Sequence, residues 1–214
     1  MLLKYSYIKD EMAYNKKYAD WSKKIWIDIL APQQIFNEMK LGETPVNKDN
    51  IENVLGRTVE LNAAFILNNF KYQNYKIKFK VTKVSGLRAY SEIVELSLYP
   101  AYVRRITRVG TSKIDDSIVF STQEGFKVRV KPLVITHGKA HRSQKHEIRM
   151  LYRKYLQEKI TSLKYYELIE KVLNYDLQNE VKPILNKIFP IERVEVRRII
   201  LLTPILQKEK IENK

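Results

Sequence analysis

Between Tyr75 and Thr82 the chain alternates without a break: Tyr75, Ile77, Phe79 and Val81 interleave with Lys76, Lys78, Lys80 and Thr82. Successive side chains of a strand point to opposite faces, whereas a helix would scatter this pattern around its axis. The segment therefore predicts a half-buried β-strand with an apolar face and a lysine ladder. Such a strand needs a sheet with a core on one side only. The pattern recurs in Phe126 to Lys131, where Phe126, Val128 and Val130 alternate with Lys127, Arg129 and Lys131.

Turn signals organise the neighbours of both segments. Ser85-Gly86 returns the first strand into Arg88 to Leu98, and Gln123-Glu124-Gly125 joins Ile118 to Thr122 with the second, which predicts two hairpins. Gly56 to Ala64 reads as a strand, Trp21 to Pro32 as a short strand or extended arm, and Gly42 to Asn50 as a loop. Pro100 suits the first turn of a short helix with Tyr99, Tyr102, Val103 and Ile106 on one side and Arg104, Arg105 and Arg108 on the other. Beyond Pro132, Leu133 to Thr136 reads as a separate strand. Ser143 is the expected cap of a helix to Ile160, followed by helices over Tyr165 to Leu173 and Asp176 to Phe189 and a strand from Arg193 to Leu202. Pro183 is expected to kink or split the second of those two helices.

The expected fold class is therefore α+β: a β-rich, barrel-like lobe of antiparallel hairpins with C-terminal helices and a final strand. The expected organisation is an N-terminal extension (1–20), one domain (21–202) and a charged tail (203–214). Within the domain, 21–136 is β-rich, 137–190 helical, and 191–202 holds the last strand.

Charge narrows the partners. Thirty-nine Lys and Arg against 24 Asp and Glu leave +15 on 214 residues. That excess calls for a polyanion, and its spread over many segments points to nucleic acid before an anionic membrane or acidic protein. No apolar stretch is long enough to span a bilayer and no signal-peptide pattern opens the chain, so a soluble, unprocessed protein is expected. With no cysteine, disulfides, thiolate metal sites and thiol catalysis are excluded.

The helix after Ser143 carries Lys145, Arg149 and Arg153 at i, i+4 and i+8, with Ile148, Leu151 and Tyr155 on its packing side. Lys139, His141 and Arg142 lie just upstream. One such helix is an ordinary solvated surface. Recurrence on Lys76/Lys78/Lys80, Arg104/Arg105/Arg108 and Lys127/Arg129/Lys131 favours phosphate contacts along a structured RNA. His137, His141 and His146 do not complete a metal shell, because Gly138 breaks the helical spacing and no HExxH, cysteine or carboxylate cluster joins them. Asp115, Asp116, Glu124 and Lys127 superficially resemble a metal-dependent nuclease set, but Glu124 and Lys127 point to opposite faces across a turn. No nucleotide-binding or serine-nucleophile motif is present. No catalytic residue, metal or cofactor is expected.

Several stretches in order resemble the small-subunit ribosomal protein family called S-three-A-e, or eukaryotic-type S-one, in its archaeal form. They are Lys23-Lys24-Ile25-Trp26 to Ala31-Pro32, Leu41-Gly42-Glu43-Thr44-Pro45, Leu55-Gly56-Arg57-Thr58-Val59-Glu60, Thr111-Ser112-Lys113-Ile114-Asp115, Glu124 to Pro132, Ser143-Gln144 and Phe189-Pro190-Ile191 leading to Val194-Glu195-Val196-Arg197. The resemblance runs from Trp21 to about Leu202. It implies a cytoplasmic structural protein on the platform of the small ribosomal subunit near the messenger exit. Its implied partners are small-subunit ribosomal RNA and neighbouring ribosomal proteins, with messenger RNA or initiation factors nearby and no membrane. It also implies RNA contacts from Lys23, Lys24, Arg57, Lys113, Lys127, Arg129 and Lys131, turn-forming roles for Gly42, Gly56 and Gly125, and a packed Trp26. Lys164 stands where the family carries a capping Thr. The competing readings are a non-ribosomal nucleic-acid-binding protein and a metal-dependent nuclease.

Overall fold

The computed structural model describes residues 24–203, so the 1–20 extension, Lys23 and most of the 203–214 tail lie outside the described residues. In chain order the elements are β1 (Lys24–Leu30), α1 (Gln33–Phe36), β2 (Lys40–Asn47), β3 (Thr58–Asn62), α2 (Ala63–Leu67), β4 (Tyr75–Ser85) and β5 (Arg88–Leu98). Then come α3 (Pro100–Ile106), β6 (Lys113–Asp115), β7 (Ile118–Ser121), β8 (Lys127–Thr136), α4 (Arg142–Thr161), α5 (Tyr165–Leu173), α6 (Asp176–Asn186) and β9 (Ile191–Leu201). The fold is α+β and β-rich, as expected.

The nine strands form one mixed sheet, ordered β2-β1-β5-β9-β8-β6, with β3 and β4 branching from β5 and β7 from β8. All pairs are antiparallel except β1 with β5, where Asp28–Leu30 runs beside Arg88–Tyr90. Both predicted hairpins form. The first turns at Gly86 (φ 58°) and the second at Gly125 (φ 78°), backbone that only glycine adopts without strain. Tyr75, Ile77 and Phe79 are buried in the main core with the inward residues of α4, α5 and α6. A smaller core of Ile27, Ile29, Val46, Val54, Val81 and Ala89 fills the β1–β2 end of the sheet.

The helices cover the apolar face because their own apolar stripes demand it. In α4 the fully buried residues are Ile148, Tyr152, Leu156 and Ile160, spaced by four, with Leu151 and Tyr155 at the flank. Burying side chains of this size contributes about 1.5–3 kcal/mol each. Pro183 lies inside α6, which continues through it to Asn186.

Four local expectations are corrected. Gly42 to Asn50 is not wholly a loop: its first six residues belong to β2, paired with β1 from Thr44 opposite Ile27 to Asn47 opposite Lys24. Gly and Pro weaken strands in general, but β2 is an edge strand, where Pro45 needs no ladder donor. Gly42 therefore lies in a strand and not in a turn. Leu133 to Thr136 is not separate either, because β8 runs through Pro132 and absorbs it as a register shift against β9. The α4 cap is His141, two residues earlier than Ser143, with the Gln144 side chain accepting from the His141 N–H at 2.9 Å. Trp26 does not pack: it alternates with Ile25 and Ile27 on β1 and is 57% exposed.

A buried polar knot anchors α3 to the sheet. Glu195 of β9 accepts from the Tyr102 hydroxyl at 2.8 Å and the Tyr75 hydroxyl at 3.2 Å. Arg193 donates to Tyr102 at 3.1 Å, and Gln178 of α6 reaches Tyr75 at 3.4 Å. Burial pushes the Glu195 carboxyl above its ordinary pKa, while the two tyrosine hydroxyls pull it back. Burial and the neighbouring Glu195 push Tyr102 up to about 12. The knot fixes which way α3 presents its arginines.

Candidate nucleic-acid interface

The structure divides the expected RNA-contacting cations into two groups. In the first, positive charge is already engaged within the chain. Lys76 and Lys78 both reach Glu60 on β3, at 2.9 and 3.1 Å, and hold its carboxyl below the ordinary range. Lys78 also lies opposite Glu95 on β5. Neighbouring strands thus supply carboxylates that the local sequence lacks. Lys113 is 2.7 Å from Asp115, and Arg153 grips Asp116. Arg57 donates to Thr44, to the Pro45 carbonyl at 3.0 Å and to the Asn53 carbonyl at 3.2 Å, which pins β2 to the turn before β3. Lys24 begins β1, opposite Asn47 of the edge strand β2.

The second group has no ion pair among the described residues. It comprises Arg104, Arg105 and Arg108 around α3, Lys127, Arg129 and Lys131 on β8, and Lys139, Arg142, Lys145 and Arg149 at the start of α4, together with Lys80. Arg105 lies over the Tyr102 ring, 5.3 Å from its centroid, and remains exposed. His141 is exposed at the helix cap.

Strand pairing and hydrogen bonds link several of these segments. Lys131 lies opposite Arg198 on β9, so the β8 cations continue across the sheet. Arg197 and Arg198 meet Arg104 and Lys113 around a cleft of about 210 Å³ beside the start of α3. From Lys113 the surface passes to the 136–140 loop, because Ser112 accepts from the Ala140 N–H at 3.1 Å and its carbonyl accepts from the Thr136 N–H at 3.1 Å. Lys139 and Arg142 follow directly. Arg149 borders a small cavity shared with Asp116 and Arg153.

Neither Arg197 nor Arg198 is among the RNA-contacting cations expected from sequence. The signal was an Arg-Arg doublet inside a strand, which ordinary alternation would send to opposite faces. The register runs from Lys131 opposite Arg198 to Pro132 opposite Val196, which leaves Arg197 in a bulge. Bulges re-aim side chains, and this one brings both arginines to one cleft.

The carboxylates of the nuclease reading have structural partners. Asp115 bridges Lys113 and Arg197, and Asp116 holds Arg153 and accepts from the Ser117 N–H at 2.9 Å. Glu124 accepts from the Tyr165 N–H at 3.3 Å, and Glu167 accepts from the Lys164 N–H at 3.4 Å. These two glutamates satisfy the start of α5, where Lys164 occupies the cap. Among the described residues, no three His, Asp or Glu side chains are grouped to hold a metal, and no helix is long and apolar enough to cross a membrane.

Comparison with known proteins addresses the same span. The profile of the Ribosomal S3Ae family matches residues 13–204. The small ribosomal subunit protein eS1 of Nanoarchaeum equitans is 44% identical over 179 residues, covering 84% of this chain and 89% of that protein. The eS1 of Archaeoglobus fulgidus is 37% identical over 191 residues, covering 88% and 89%. That of Methanopyrus kandleri is 34% identical over 182 residues, covering 83% and 85%. Because the match embraces the whole described fold together with both groups of cations, the chain belongs to the Ribosomal S3Ae family.

Proposed function

We propose that the chain is a structural constituent of the small ribosomal subunit that binds ribosomal RNA, and that it works as a scaffold in translation, not as an enzyme. The observation that carries this reading is the set of cations without an ion pair among the described residues on β8, α3 and the start of α4, together with the four cations gathered around the α3 cleft. Phosphate contacts from such a surface position a protein on folded RNA without reading sequence. Its relatives' name, small ribosomal subunit protein, identifies the assembly. The domain limits 21–202, a cytoplasmic place on the platform near the messenger exit, and neighbouring ribosomal proteins as further partners belong to the same reading. Messenger RNA and initiation factors would then lie within reach.

The engaged carboxylates support the scaffold over the nuclease: Asp115, Asp116 and Glu124 each serve an ion pair or a helix terminus. The test is filter binding of the purified chain to transcribed small-subunit RNA across a salt series. Tight binding at low salt, falling linearly on a log–log plot with the RNA intact, is expected. Absence of binding at low salt, or RNA cleavage lost in Asp116→Asn, overturns the reading.

A further inference from the structure

Four cations from three elements of the chain surround the cleft beside α3: Arg104 on α3, Lys113 on β6, and Arg197 and Arg198 on β9. Its remaining wall is apolar, from Leu98, Pro100 and Val103. The space of about 210 Å³ far exceeds the ~30 Å³ share of one water. Two carboxylates lie close by and neither lines the cleft. Asp115 Oδ2 is shared between Lys113 at 2.7 Å and Arg197 at 3.4 Å, and Glu95 takes Arg198 at 3.0 Å. Four positive charges against two negative ones leave +2, and Arg104 has no carboxylate among the described residues.

That arrangement is unlike the lysine ladder on β4, where Glu60 answers two cations on an open sheet face. Here Asp115 fixes Lys113 and Arg197 side by side, the bulge at Arg197 turns a second arginine inward, and the Glu195 knot holds α3 so that Arg104 closes the rim. Like charges gathered on rigid elements repel one another, and an anion seated among them relieves that repulsion. Arginine suits the task, since its planar fork engages two oxygens of one phosphate.

We propose that this cleft is a dedicated seat for a single backbone phosphate of the bound RNA, held jointly by Arg104 and Arg197, with the apolar wall against the attached sugar. The inference rests on the ribosomal RNA reading and deepens it. It separates one enclosed, shared phosphate from the looser contacts along β8 and α4, each made by one cation.

Sharing has a measurable signature. Each neutralised phosphate adds about 0.7–0.9 to the slope of log affinity against log salt. The full-length chain is titrated with transcribed small-subunit RNA across a salt series, comparing wild type with Arg104→Ala, Arg197→Ala, the double variant and, as a cation outside the surface, Lys187→Ala. Each cleft variant is expected to lower the slope by about 0.7–0.9, the double variant by no more than either single one, and Lys187→Ala by nothing. Arg104→Lys should retain the wild-type slope, and unchanged thermal melting shows that the variants fold. Cleft variants with the wild-type slope, or reductions that add in the double variant, overturn the shared seat while leaving the ribosomal reading intact. A wild-type chain that does not bind the RNA at all overturns that reading itself.

Discussion

Arg153 on α4 grips Asp116 with two nitrogens of its guanidinium, Nη2 donating to Oδ1 at 2.8 Å, and so ties the helix to the turn between β6 and β7. A residue that sequence spacing assigns to a cationic stripe is thereby a clasp. The arginine holds the Asp116 carboxyl below the ordinary aspartate value of 3.8. A carboxyl with a depressed folded pKa contributes stability that is present above its unfolded value and lost as pH falls through the folded one. In that window the unfolded chain binds more protons, so stability rises with pH. Asp116→Asn should flatten this dependence below about pH 4, as read by denaturant midpoints in an acid series. An unaltered slope in that range would contradict the clasp.

Removing one donor from the Glu195 knot should be costly. Tyr102→Phe leaves Glu195 Oε1 buried without its 2.8 Å partner and frees Arg193 from its hydroxyl contact. A loss of about 1–3 kcal/mol is expected from chemical denaturation, with the m-value unchanged. A neutral outcome would mean that α3 is not anchored there.

Gly125 closes the β7–β8 hairpin at φ 78°, with its N–H donating to the Thr122 carbonyl at 2.9 Å. An alanine there must enter the left-handed region at roughly 1–2 kcal/mol. Gly125→Ala should lower the denaturant midpoint accordingly. Gly42→Ala, in a strand with no neighbour within 4 Å of an added Cβ, should not.

The two groups of cations make opposite predictions for RNA. Arg129→Ala and Lys131→Ala remove charges with no ion-pair partner among the described residues, so each should lower the salt slope of RNA binding by up to about 0.7–0.9. Lys76→Ala and Lys78→Ala remove charges already committed to Glu60 and should leave that slope unchanged. Equal effects from both pairs, measured by filter binding, would show that ion pairing within the chain does not decide which cations reach RNA.

Much of the fold was legible because alternation and turn chemistry agree on it. Tyr75 to Thr82 and Arg88 to Leu98 lie where their periodicity predicts, whereas the buried stripe of α4 shares Ile148 with the expected one but runs on through Tyr152, Leu156 and Ile160, leaving Leu151 and Tyr155 at its flank. What stayed hidden depended on neighbours. Gly42 and Pro45 read as a loop because the tolerance of an edge strand for both is a property of the sheet. Pro132 read as a boundary because the bulge that accommodates it lies on β9. The cations were legible as residues but not as charges: Glu60 neutralises Lys76 and Lys78 from another strand, and Asp116 neutralises Arg153 from another turn. Arg197 and Arg198 converge only through a register shift that no local pattern announces.

The central claim, a scaffold held to the small subunit through phosphate contacts, is tested most directly by sedimenting a cell extract through gradients at low and high salt while following this chain by mass spectrometry. The account predicts co-migration with small subunits at low salt and release only as salt rises. Migration at the top of the gradient at low salt would contradict it.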